Sequence, residues 1–368
     1  MVKDGAAERP LRILHLIIVL GETNSQYNEH CLPLLDVRDL TICTYFTPKL
    51  DHPPQIKVFA GDNTLRGFFR AFGAALDGNE YDVIHAHAPP TGALLMLALT
   101  LRPSRWRRWR SLAYTVHDSF YDYKLRDRVL MLPVFATFRR VVFCGHAAHD
   151  SYPALWRRLV ANRSRVVPNA ADLDRVERAV AGVKRSRDDS TFRIISVGRL
   201  ENVKDPKTLL AAFRQIGDER SGLDIVGSGS LEAQLAGEIR ASRLEKRVTL
   251  TGLIPRDEVF VRCAQADLFV SSSRGEGLPV AVIEAMAAGC PVVLSDIPPH
   301  REVADGVEFI PLVRLGDSTG FAREIDRFRS MSPEARTAVG LQGQALARAR
   351  FGLATMHAGY DKVYRELL

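Results

Sequence analysis

Three features of the sequence predict two α/β domains, each a doubly wound parallel sheet. Short apolar runs rich in β-branched residues alternate with helical stretches along the chain. Strands of that kind, apolar on both faces, belong to parallel sheets covered by helices on each side. The alternation halts at a charged stretch, Val183–Thr191, and restarts at Phe192. Finally, 368 residues of which 46% are apolar and 25% charged exceed one ordinary domain and suffice for two cores.

The elements follow in order. Arg12–Leu20 (RILHLIIVL) ends at Gly21 and reads as a buried first strand. Asp82–His87 reads as a strand followed by Pro89-Pro90 and a helical run to Leu101, whose Leu/Ala stretch 93–101 is expected in the core. Leu112–His117, Arg140–Cys144 and Arg165–Asn169 complete the first series. The second comprises Phe192–Gly198, Leu223–Gly227, Val248–Gly252, Leu268–Ser272 and Pro291–Ser295, each ending in Gly or Ser as turns into helices do. Arg336–Leu368 is helical in pattern. The expected organisation is a first Rossmann-like domain over 1–175, a linker over 176–191 and a second Rossmann-like domain over 192–350. A C-terminal helix over 351–368 is expected to pack back on the first domain. Ligand sites in such sheets lie beyond the carboxyl ends of the strands.

Several classes are excluded by composition. No run of about 18 apolar residues exists, so no transmembrane helix is expected. Arg12 and His15 interrupt the first apolar segment and no A-x-A site follows, so no signal peptide is expected. Five cysteines, scattered and without a C-x-x-C pair, argue against disulfides and structural zinc and for a reducing cytoplasm. The net charge of +7 is concentrated: residues 101–165 carry 14 Lys/Arg against 4 Asp/Glu. The densest part, Arg102–Arg110, interleaves arginines with Trp106 and Trp109. Indoles settle at the headgroup level, and each cation near an anionic membrane contributes on the order of 1 kcal/mol. This stretch reads as a solvated arginine-rich loop or, nearly as well, as a contact with an anionic membrane surface, and either is expected before nucleic acid.

The most informative segment is Gly275–Val293, GEGLPVAVIEAMAAGCPVV. A strand ends near Ser272, a glycine-rich turn follows, Pro279 begins a helix and Gly289 closes it. Free N–H groups and the positive end of the helix dipole suit a phosphate or diphosphate there. Glu276 precedes the helix and Glu284 stands about two turns into it, so one carboxylate lies at the helix mouth and the other on the adjoining wall. In Gly198–Asp205 (GRLENVKD), Arg199 and Lys204 follow a strand end and can neutralise a leaving diphosphate without a metal. Gly227-Ser-Gly229 is a turn where a backbone can approach a nucleotide, a weak signal alone. His85 and His87 share one face of a strand with no third ligand in view, so strand-end packing is expected rather than a metal. His146 and His149 read as loop residues, and Asn169 as a residue satisfying turn backbone.

With these residues in place, the chain resembles the retaining nucleotide-sugar glycosyltransferases of the GT-B fold, specifically glycosyltransferase family four. The likeness is strongest from Phe192 to Ser295. It is carried by Glu276 and Glu284 within EGLPVAVIEAMAAGCPVV, by GRLxxxK at Gly198–Lys204 and by VPNAADL at Val167–Leu173. The resemblance implies two Rossmann-like domains facing a cleft. It implies that Arg199 and Lys204 hold the donor diphosphate, Glu284 the ribose and Glu276 the transferred sugar, with backbone at Gly277 and Leu278 touching sugar or phosphate. Gly198, Gly227, Gly252 and Leu253 are expected to line the donor site. His117, in Thr115–Asp118, matches the family's first-domain histidine facing the donor sugar. The chain departs from the family in two places. It has a single glycine, Gly21, in the acceptor-side loop after the first strand, and it carries Leu278 where phenylalanine is common.

The expected function is transfer of a sugar from a nucleoside-diphosphate sugar to an acceptor hydroxyl with retained configuration. His117 and Glu276 are the candidate catalytic residues, and neither a cofactor nor a metal is expected. A glycan or lipid-linked acceptor is expected to bind the first domain, in surface polysaccharide or glycolipid synthesis, with the protein cytoplasmic and peripheral at the inner face of the membrane. The rivals are a non-catalytic nucleotide-sugar-binding subunit of a transferase complex and a nucleotide-sugar epimerase on the same fold.

Overall fold

The computed structural model describes residues 9–21, 24–77, 79–101, 108–183 and 191–368. They form two compact units. One comprises the described residues of Met1–Cys144 with His149–Val167 and His357–Leu368; the other comprises Gly145–Ala148 and those of Pro168–Met356.

The first unit holds a seven-stranded sheet of β1 (Arg12–Ile17), β2 (Asp39–Thr44), β3 (Lys57–Ala60), β4 (Val83–Ala86), β5 (Leu112–Val116), β6 (Arg140–Phe143) and β7 (Ser164–Val166). Their spatial order is β3-β2-β1-β4-β5-β6-β7 and every pair is parallel. Helices α1 (Ser25–His30), α2 (Leu65–Leu76), α3 (Pro89–Thr100), α4 (Leu125–Thr137) and α6 (Ala154–Val160) fall in the connections, and α5 (His146–Asp150), which follows β6 along the chain, has its first three residues in the other unit. The core packs Leu14, Leu16 and Ile84 of the central strands against Phe68, Phe72 and Phe135 of the helices. β2 and β3 escape the sequence reading: Thr41 and Thr44 break the apolar run of one, and the other is a short, half-buried edge. His146 and His149 lie in α5 rather than in a loop. α3 buries Leu95, Ala98 and Leu99 but exposes Leu97, so only one side of the expected core helix is core.

In the second unit the strands are β8 (Phe192–Val197), β9 (Ser221–Val226), β10 (Val248–Gly252), β11 (Leu268–Ser271), β12 (Val292–Ser295) and β13 (Leu312–Val313). They are ordered β10-β9-β8-β11-β12-β13, again all parallel. Its helices are α7 (Leu173–Val180), α8 (Pro206–Phe213), α9 (Glu232–Ala241), α10 (Arg256–Gln265), α11 (Val280–Ala287), α12 (Pro298–Val303), α13 (Ser318–Arg329) and α14 (Pro333–Arg350). Apart from Gly145–Ala148, the chain enters this unit at Pro168, earlier than the expected 175, and α7 occupies the start of the expected linker. Residues 184–190 of that linker lie outside the described residues.

The last helix, α15 (Leu353–Arg365), returns to the first unit from His357 onward. The Tyr360 hydroxyl lies 3.0 Å from Thr115 Oγ1 and the Tyr364 hydroxyl 2.8 Å from His85 Nδ1. Ion pairs join Asp361 to Arg38, and Glu366 to Arg165 at 2.8 Å. All five cysteines are free and buried. Among the described residues no helix is long and apolar enough to cross a membrane.

Candidate active site

In both sheets the strand order reverses once, between β1 and β4 and between β8 and β11. Adjacent connections at a reversal leave to opposite faces of the sheet, opening a crevice at the carboxyl ends of the two strands. In the second unit, the two loops that flank the reversal are those singled out by sequence: Gly198–Asp205 after β8 and Ser272–Pro279 after β11.

The two loops are tied together. The Arg274 N–H donates to the Val203 carbonyl at 2.8 Å and the Ser272 hydroxyl to that of Asp205 at 2.8 Å. Arg274 pairs with Asp205 at 2.7 Å. Across this seam the Lys204 Nζ donates to Glu276 Oε2 at 2.5 Å, with both side chains mostly buried. Burial pushes the Glu276 carboxyl up, but Lys204, His300 and a hydrogen bond from Ser273 outweigh it and hold it below the ordinary range. Glu276 is therefore an ionised carboxylate beside a fixed cation. Arg199 is exposed on the first loop.

Pro279 is the N-cap of α11, so the helix begins at Val280, one position after the predicted start, and it ends at Gly289 in the left-handed region with φ 75°. The N–H groups of a helix's first turn lack intrahelical partners and carry its positive end, which in α11 follows Gly277 and Leu278 directly. The Leu278 side chain is buried in the core. Glu284 is also buried, and there sequence reasoning missed its partner. Arg256 at the start of α10 donates from Nε to Glu284 Oε1 at 3.0 Å. Burial raises the Glu284 carboxyl, and Arg256 offsets this only in part.

The three glycines expected along the donor site end three adjacent strands. The Gly198 N–H donates to the Val226 carbonyl at 3.0 Å, and the Gly227 N–H to that of Gly252 at 2.9 Å. Gly227 has φ 133°, and a Cβ there would stand 2.0 Å from the Gly198 carbonyl oxygen. Its glycine thus serves backbone packing between strand ends. Gly252, with φ 68°, borders open space, and Leu253 beyond it is exposed.

His300 of α12 is a further residue that the sequence did not flag. It is fully buried, its Nδ1 donates to the Ser295 carbonyl at 2.8 Å, and its Nε2 has no hydrogen-bond partner among the described residues. Burial lowers its pKa, and Glu276 together with the Ser295 carbonyl partly restores it.

In the first unit His117 follows β5, and its backbone N–H and that of Asp118 both donate to the Tyr123 hydroxyl at 3.3 Å. It ends a buried histidine chain: His15 Nδ1 lies 2.8 Å from His87 Nε2, and His87 Nδ1 lies 3.2 Å from His117 Nε2. The expectation that His85 and His87 lack a third neighbour is corrected. The β1–β4 register sets His15 opposite His85, and ring nitrogens of all three lie within 4.8 Å of one another. Two ligands of one tetrahedral zinc at about 2.0–2.1 Å stand about 3.3 Å apart. The 2.8 Å between His15 and His87 is a hydrogen-bond distance, and both nitrogens of His85 face hydroxyls, of Tyr364 and Thr115. Burial drives these imidazoles toward the neutral form, His15 to about 3 and His117 to about 4. On the acceptor-side loop, the Gly21 carbonyl accepts from the Asn24 N–H at 3.0 Å, while Glu22 and Thr23 lie outside the described residues.

Comparison with known proteins gives this geometry its class. The family model "Glycosyl transferases group 1" matches residues 191–330 and the model "Glycosyltransferase Family 4" residues 39–175. The chain is 26% identical, over 72% of its length and 69% of the relative's, to an Escherichia coli UDP-Gal:α-D-GlcNAc-diphosphoundecaprenol α-1,3-galactosyltransferase. It is 27% identical, over 76% and 75%, to the putative glycosyltransferase EpsD of Bacillus subtilis. Sucrose-phosphate synthase from Thermosynechococcus elongatus superposes with TM-score 0.79 at 20% identity, covering 97% of this chain and 99% of that one. Anabaena HepE in complex with UDP superposes with TM-score 0.75 at 19% identity, covering 96% and 99%. The chain belongs to glycosyltransferase family four, has the GT-B fold and is a glycosyltransferase. Neither the binding-subunit nor the epimerase reading is favoured.

Proposed function

We propose that this glycosyltransferase moves a sugar from a nucleoside-diphosphate sugar to an acceptor hydroxyl with retention, and without a metal. The observation that carries this reading is the Lys204–Glu276 pair bridging the two loops at the β8/β11 reversal. The chemical problem is departure of a diphosphate while positive charge builds at the anomeric carbon. Lys204, Arg199 and the amino end of α11 supply positive charge for the leaving group. Glu276 accepts hydrogen bonds from the sugar and Glu284 from the ribose, while His117 keeps the sugar-facing role that the family resemblance implies for it. Gly198, Gly227, Gly252 and Leu253 line the nucleoside side by backbone. Gly21 stands on the acceptor side.

A uridine donor is the first to test, because the E. coli relative is named for UDP-Gal and HepE was solved with UDP and with UDP-glucose. A lipid-linked or glycan acceptor in surface polysaccharide or glycolipid synthesis is supported by the diphosphoundecaprenol in the same relative's name, and with such an acceptor the protein would work peripherally at the inner face of a membrane. The test is proton NMR of UDP-sugars incubated with the protein and no acceptor. Slow release of the sugar as its α-anomer, from an α-linked donor and unaffected by chelator, is the expected outcome. Interconversion of the intact donor would identify an epimerase, and an unchanged donor a binding subunit.

A further inference from the structure

Half of the sixteen large apolar side chains that are exposed among the described residues fall between Leu97 and Leu159. That is the same part of the chain in which basic residues outnumber acidic ones by 14 to 4. The coincidence has a structural basis. α4 turns Met131, Val134 and Phe135 into the core and presents Leu125, Val129 and Leu132 outward, 74%, 56% and 42% exposed. Their spacing of four and three residues places them on one face of the helix. α6, packed beside α4 through Trp156 against Phe135, repeats the pattern with Leu155 and Leu159, 69% and 38% exposed. On the other side of α4, Thr137 donates to the Met96 sulfur of α3 at 3.3 Å, and α3 exposes Leu97. Three neighbouring helices of one unit therefore carry outward apolar side chains, whereas soluble monomers rarely expose contiguous apolar surface.

Exposed cations rim this face. Lys124 and Arg126 flank Leu125, Arg158 precedes Leu159, and Arg139 follows the end of α4. The predicted membrane stretch, Arg102–Arg110, lies outside the described residues from Arg102 to Arg107; of the remainder, Arg110 is exposed. Long basic side chains can lay their stems along apolar surface and raise their charged ends to a polar layer. A helix face of leucines bordered by such residues has the character of an interfacial helix. A second copy of the same face would bring like charge against like charge, which disfavours it as the occupant.

We propose that the outer face of α4 and α6 is a docking surface for an anionic lipid bilayer, with Leu125, Val129 and Leu132 entering the headgroup–acyl boundary. This deepens the membrane-proximal reading above, yet its residues are separate from the donor loops, so the two fail independently. The test is flotation of the full chain with vesicles of phosphatidylcholine alone and of phosphatidylcholine with one quarter phosphatidylglycerol. Binding to the anionic vesicles, weakened by salt, is expected. The variant L125S/V129S/L132S should partition about tenfold less or weaker still. A control variant, L315S/L341S, should bind as the parent does, since those exposed leucines lie on the second unit. Melting temperature and nucleotide binding of the triple variant should stay unchanged, because the three side chains are exposed. Equal binding by triple variant and parent, or no binding to either vesicle, overturns the proposal. So does a concentration-dependent dimer that the triple substitution dissolves, which would make the face a protein–protein interface.

Discussion

Replacing Lys204 by alanine is expected to lower kcat/KM for sugar transfer by about a hundred- to a thousandfold, the cost of removing one preorganised donor to developing negative charge. The same change should destabilise the fold, because Glu276 is mostly buried and its carboxylate is held ionised largely by Lys204. Stripping one partner from a buried ion pair costs about 3–5 kcal/mol. The two consequences separate in a double variant. K204A/E276Q removes both charges, leaves a neutral amide that Ser273 can still contact, and should recover most of the lost stability. It should recover none of the activity. Melting temperatures and single-turnover rates of the four proteins in this cycle check the prediction. Restored activity in the double variant would reduce Lys204 to a structural partner of Glu276.

Acidification is expected to weaken the first unit well before carboxylates begin to titrate. Five of its histidines, His15, His30, His85, His87 and His117, have pKa values driven below 6.5, first by burial and, for His30, His85 and His87, also by neighbouring histidines, His15 and His117 among them. Below about 6.5 the unfolded chain takes up protons at these residues, while the folded chain resists until about pH 4 for His117 and about pH 3 for His15. The unfolded state thus binds more protons throughout that window, and stability falls as pH falls. Each group contributes a slope of up to about 1.4 kcal/mol per pH unit. Scanning calorimetry from pH 7.5 to 5 should show a steadily falling transition with uptake of more than one proton on unfolding. A flat profile would mean that water or rearrangement lets these imidazoles protonate in place.

What the sequence made legible follows from the range of the interactions involved. The donor-side loops were readable because their signals are local: glycines at strand ends, Pro279 before α11, and Glu276 and Glu284 on either side of that proline. Partners contributed by other elements were not. Arg256 reaches Glu284 from α10, and His300 approaches Glu276 from beyond β12, each through packing that no spacing encodes. The histidine chain is the sharpest case. His85 and His87 looked isolated because His15 and His117 belong to β1 and to the end of β5, and only strand order brings the four together. Strands β2 and β3 were lost for the opposite reason: too short, or too broken by threonine, to stand out from loops. The run 93–101 looked uniformly apolar, and apolarity alone does not tell which side of α3 meets the core.

The central claim is that the loops after β8 and β11 form a nucleoside-diphosphate site. Its most direct test is a thermal-shift titration of UDP, GDP and ADP on the parent and on Arg199→Ala. Arg199 is exposed, so its loss should leave the unliganded protein intact. A ligand at 100 times its Kd stabilises by about 2.7 kcal/mol, a shift of several degrees. The account predicts that one diphosphate, UDP first, raises the parent's transition by that amount and that Arg199→Ala loses most of the rise. No shift with any diphosphate, or an undiminished shift in the variant, would contradict it.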